Sequence, residues 1–80
     1  MEQDDVRRTI ESAIAKRRED FALSYLSCAP DGYTLKFRQG IVDIVRTRID
    51  DAVFADDARL GGLLDEVRRD LQRLTRAPAV

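Results

Sequence analysis

Histidine is missing altogether from the 80 residues, and cysteine occurs once, as Cys28. The first absence removes histidine-based acid/base catalysis, because no other side chain with an ordinary pKa changes charge between pH 5 and 8. Together the two absences remove conventional Cys/His zinc sites, and one cysteine cannot form an intrachain disulfide. Without a neighbouring histidine or second cysteine to activate it, Cys28 reads as a small apolar residue. A long hydrophobic run is also lacking, so neither a signal h-region nor a membrane span is expected. There is no excess of one charge either: 14 basic and 15 acidic side chains leave a formal net charge of −1, which indicates neither a polyanion binder nor an acidic tail. No glycine-rich loop follows a strand into a helix, and no pair of acids stands at a spacing that singles it out. A non-enzymatic cytoplasmic protein follows as the expectation, without cofactor, metal or membrane contact.

Eighty residues suffice for one domain, here taken as 1–80. A core of that size rarely supplies more than roughly 3 to 5 kcal/mol unaided, which favours self-association.

Helical spacing dominates what is present. Val6, Ile10, Ile14, Phe21 and Tyr25 recur at that spacing with neither Gly nor Pro between them, which predicts a long first helix over 2–27. Glu2, Asp4 and Asp5 suit its positive end, and Pro30-Asp31-Gly32 supplies a turn beyond it. Tyr33, Leu35 and Phe37 then alternate with Thr34, Lys36 and Arg38; period two means an extended strand with one buried face. Ile41, Ile44, Val45, Ile49, Ala52 and Val53 return to helical spacing and predict a second helix over 41–54. A competing reading makes 38–40 a hairpin turn and 41–45 a β-branched strand. The third helix is predicted from a cap at Asp56 or Asp57 to about Arg76, stopped by Pro78. Its seam of Leu60, Leu64, Val67, Leu71 and Leu74 steps four, three, four, three, as heptads do. The expected fold is therefore mainly all-α: an antiparallel three-helix bundle with a short extended segment, 29–40, between helices 1 and 2.

The features with functional content are few. Arg17 and Arg48 fall on apolar stripes, where their stems either cover apolar surface or anchor an interface. Gly61 and Gly62, near the start of the third helix, either close the preceding helix or permit close approach of another backbone. Asp50, Asp51, Asp56 and Asp57 lack the spacing of a calcium loop and read as caps and solvated carboxylates. The expected function is a protein-binding module, a regulatory or inhibitory homodimer. Its contact residues would be Arg17, Tyr33, Leu35, Phe37, Arg48, Leu60, Leu64, Leu71 and Leu74, most of which serve equally well as ordinary core.

The alternative is DNA binding. A strand followed by two helices has the order of a ribbon-helix-helix module, in which two chains pair their strands in the major groove. Thr34, Lys36 and Arg38 would then read the bases. Against it stand an acidic pI of about 5.3, a long helix ahead of the strand, and the missing Gly-x-Ser/Thr turn between the helices.

Overall fold

The computed structural model describes residues 2–75 of the chain. In order, the elements are α1 (Gln3–Arg17), β1 (Ala22–Ala29), β2 (Gly32–Gln39), β3 (Val42–Ile49), α2 (Asp51–Ala55) and α3 (Asp57–Thr75). The three strands form an antiparallel meander in the order β1-β2-β3. The all-α three-helix bundle is thereby overturned: the fold is a helix, a three-stranded antiparallel sheet, and then helices. Of the predicted elements, the third helix stands over the described residues, whereas Arg76 and Pro78 lie outside them.

The first correction is at the end of α1. The helix stops at Arg17, ten residues short of Ser27, with Arg18 in the left-handed conformation as its cap (φ 52°, ψ 44°). Lys16, Arg17, Arg18, Glu19 and Asp20 are five charged residues in a row. At about 100° per residue, such a run goes completely round a helix and leaves no apolar stripe to bury. Beyond it, Phe21, Leu23 and Leu26 are buried while Tyr25 is half exposed. An extra residue, Ser24, sits opposite the Phe37–Lys36 step, forming a β-bulge that lengthens one inward step from two residues to three. Past that bulge Tyr25 faces outward, so Phe21 and Tyr25, whose spacing of four had continued the helical stripe, do not share a buried side.

The second correction is 41–54, which divides into β3 and the five-residue α2. The competing hairpin reading has the right kind of structure, with the turn at Gly40–Ile41 and the strand running on to Ile49. Gly40, at φ 62°, occupies the first central position of a two-residue loop, which suits a turn of the primed type. Ile41 at the tip is wholly exposed. A second bulge, around Thr47 and Arg48, places Arg48 at φ 57° and again breaks the period of two. Gly32 faces that bulge: a Cβ there would lie 2.9 Å from the Arg48 carbonyl carbon, and its own φ is +133°. Only glycine satisfies both conditions.

One face of the sheet carries the core. Leu23, Leu26, Tyr33, Leu35, Phe37 and Ile44 pack with Val6, Ile10 and Ile14 of α1, Phe54 of α2, and Leu60, Leu63, Leu64, Val67 and Leu71 of α3. Phe21 meets Phe37 edge to face at 5.7 Å, and Tyr33 meets Phe54 likewise at 5.2 Å. Among the described residues, no helix is long and apolar enough to cross a membrane.

Candidate functional site

Because the helices share one face of the sheet, the other is bare, as antiparallel sheets permit. Its middle row is Tyr25–Lys36–Val45, paired across the three strands. Tyr25 and Val45 are 50% and 47% exposed, with Lys36 half-buried between them. Ser27 and Thr34 form the next row towards one end. Towards the other, Arg38 donates from Nε and Nη2 to the Asp43 carboxylate at 2.8 and 3.2 Å. That hydrogen-bonded guanidinium holds the Asp43 carboxyl below its ordinary value.

The three residues expected to read DNA therefore lie together on this face. Their strand is the central one, with β1 and β3 of the same chain on its two sides. β2 has no open edge for a second chain's strand, so the paired ribbon is not formed by these residues. Arg38 is already engaged by Asp43.

The residues expected at a protein interface are dispersed. Tyr33, Leu35, Phe37, Leu60, Leu64 and Leu71 are buried within the single chain, and Leu74 is half exposed. Arg48 projects from its bulge towards Asp31 at 3.4 Å. Arg17 joins a compact network: its Nε donates to Glu19 at 3.0 Å, and its Nη2 to Asp65. Arg68 bonds the same two carboxylates, at 3.4 and 3.0 Å. The Glu19 side chain is only 4% exposed, so the two arginines supply the compensation that a buried carboxylate requires. This network ties the α1–β1 connection to α3. A second tie is Arg46, which reaches from the inner face of β3 to Asp70 of α3.

Above the network, α1 and α3 part to form an open cleft of about 490 Å³. Its floor is Ala13, Leu60 and Gly61, and Arg8, Ser12 and Lys16 run along the α1 side. Three cations, Arg8, Lys16 and Arg17, face one carboxylate, Asp57. Each glycine of the Gly61-Gly62 pair costs on the order of 1 kcal/mol relative to alanine within a helix. Among the described residues, and apart from its own neighbours and helix backbone, nothing lies within 4 Å of a Cβ built on Gly62, and one on Gly61 would meet the Arg17 Nη1 at 3.5 Å, an ordinary contact. Packing within the described residues thus does not require either glycine.

At the far end of the sheet, Cys28, Tyr33, Arg48, Asp50 and Asp51 border a smaller bowl of about 390 Å³. Burial pushes the Tyr33 hydroxyl up to about 12, assisted by its hydrogen bond to the Asp51 carboxylate and that group's charge. The acidic cluster does what its position suggests. Asp50 accepts from the Ala52 amide at 3.4 Å, and Asp56 from the Ala58 amide at 2.9 Å, as the caps of α2 and α3. Among the described residues, no group of three or more Cys, Asp or Glu is placed to hold a metal ion.

Reading the sequence alone missed Tyr25 and Val45 as surface residues, and Glu19, Asp65 and Arg68 as a network. It also missed the α1 row of Arg8, Ser12 and Lys16. The i, i+4, i+8 spacing of that row was a usable signal, but only for a face whose neighbour is known. Comparison of the chain with protein-family models, curated proteins and solved structures returns no match.

Proposed function

We propose that the protein is a non-catalytic protein-binding module of the cytoplasm that pairs with a second copy through the outer face of its sheet, in a regulatory or inhibitory role. The supporting observation is the sheet itself: helices cover one face, while the other presents Tyr25 and Val45 to solvent, with the fully exposed Ile41 at the tip of the β2–β3 hairpin. The near-neutral formal charge of −1 lets two copies approach without strong mutual repulsion. The absence of histidine leaves catalysis little to work with, and the single exposed thiol, Cys28, suits a reducing compartment.

The size of the face sets the strength of the association. Three strands of eight residues, at about 4.8 Å between strands and 3.3 Å per residue, span roughly 400 Å². A standard interface uses about 800 Å² per partner, so the dimer is weak and reversible. Sedimentation equilibrium in reducing buffer, over a concentration series, tests this. The expected result is a mass rising from monomer towards dimer, with Tyr25→Glu and Val45→Glu held at monomer and unchanged in circular dichroism. A wild-type monomer at every concentration would overturn self-association. A salt-sensitive complex with duplex DNA, lost on changing Lys36 and Arg38 to Ala, would replace this reading with the nucleic-acid one.

A further inference from the structure

The α1–α3 cleft has a charge balance unlike that of the whole chain. The protein carries a formal charge of −1, yet the cleft lining gathers Arg8, Lys16 and Arg17 with Asp57 as its one carboxylate, although Glu19 and Asp65 neutralise Arg17 from outside the lining. Arg17 is fixed by Glu19 and Asp65, and so serves as a wall. Arg8, whose side chain is 79% exposed, has only a loose contact with Asp5 at 3.6 Å. Lys16 is exposed and has no ion pair among the described residues. Two exposed cations thus stand on one helical row, eight residues apart, or about 12 Å at 1.5 Å per residue.

The floor points to the shape of what lies between them. Ala13 and Gly61 are small, and a helix-weakening glycine occupies position 61 although packing within the described residues does not require it. Small residues on a helix surface allow another backbone to come close. A third helix laid along the groove between α1 and α3 fits both facts, its apolar stripe on Ala13, Leu60 and Gly61.

We infer that this cleft docks one acidic amphipathic helix of a partner protein, with carboxylates seven or eight residues apart pairing with Arg8 and Lys16 and a narrow Ala/Leu stripe between them. The inference rests on the protein-binding reading above and adds a second surface to it. Rim charges of this kind act chiefly on association rate and on partner choice, so binding weakens as salt rises.

The probe is a fluorescein-labelled synthetic helix of about three heptads, with Glu residues flanking an Ala/Leu stripe, alongside its counterpart with Lys at every Glu. Anisotropy titrations at low salt read the affinity, and amide chemical shifts locate the contact. The expected result is binding of the acidic helix alone, with shifts confined to α1 and the first turns of α3. Arg8→Glu with Lys16→Glu should weaken it at least tenfold. Gly61→Leu should abolish it while leaving the folded spectrum intact, since leucine favours the helix but fills the floor. Equal binding of the Lys helix, retained affinity in both variants, or tighter capture of single-stranded oligothymidine by the same residues would overturn the inference. The sedimentation series run on the same proteins separates the two surfaces. Tyr25→Glu should keep the peptide, and the cleft variants should keep the dimer; a dimer that ignores the acidic helix sinks the cleft alone.

Discussion

The two faces of β2 contrast sharply. Tyr33, Leu35 and Phe37 are at most 5% exposed and sit under three helices, while Thr34, Lys36 and Arg38, their immediate neighbours in the chain, face away from every helix. The inner set is constrained by close packing, where even one methylene is felt. The outer set is constrained only by its cross-strand neighbours and by whatever binds there. Buried core and uncovered surface are therefore separated within eight residues of one strand.

The largest way to break that comparison is from the inside. Phe37→Ala removes a fully buried ring that also packs on Phe21, a change costing about 3 to 5 kcal/mol. That approaches the whole stability a core of this size provides, so the variant should be unfolded at 25 °C by circular dichroism. Next is Gly32→Ala, at the tight approach of β2 to the Arg48 bulge. The added Cβ and the positive φ should together cost about 1 to 3 kcal/mol in urea denaturation, against no loss for Gly62→Ala, which has open space.

The inner face should also respond to alkali. The folded chain holds the Tyr33 proton more tightly than the unfolded chain, whose phenol ionises near about 10. The contribution is therefore complete below about 10 and is lost as pH rises through about 12. Urea midpoints between these limits should fall in a Tyr25→Phe background and stay flatter when Tyr33 is also changed to Phe. Smallest of all should be the outer face: Thr34→Ala and Lys36→Ala are expected to move stability by no more than about 0.5 kcal/mol. A larger loss in either would show that the outer face contributes to the fold.

Much of this chain could be read directly, and the failures have identifiable causes. The helical stripe of Leu60, Leu64, Val67 and Leu71 marks α3, and all four residues are buried. The alternation over 33–38 marks β2, and Pro30-Asp31-Gly32 marks its opening turn. The flanking strands did not announce themselves, because apolar residues from different faces fall at helical spacing: Phe21 is buried and Tyr25 faces out beyond the Ser24 bulge, while in β3 Ile44 is buried, Val45 faces out and Ile41 sits at the tip. The run from Lys16 to Asp20 was the local signal that α1 must end, and the Gly40–Ile41 pair was the signal for a second hairpin. The candidate surfaces were less legible than the fold. Arg17 was noticed for its place on a stripe, but Glu19, Asp65 and Arg68 become its partners only when α1 and α3 meet.

By itself, the sequence determined the features that depend on the local chain. Helix α3 has an unbroken apolar stripe, β2 has a strict alternation, and without histidine the chain has none of histidine's chemistry. Tertiary structure alone decided that β2 is the central strand, that the helices take one face of the sheet and leave the other bare, and that a basic cleft opens between α1 and α3. Those outcomes depend on which distant segments meet, which the periodicity of a single segment does not record, and each bulge then changes which side chains face the core.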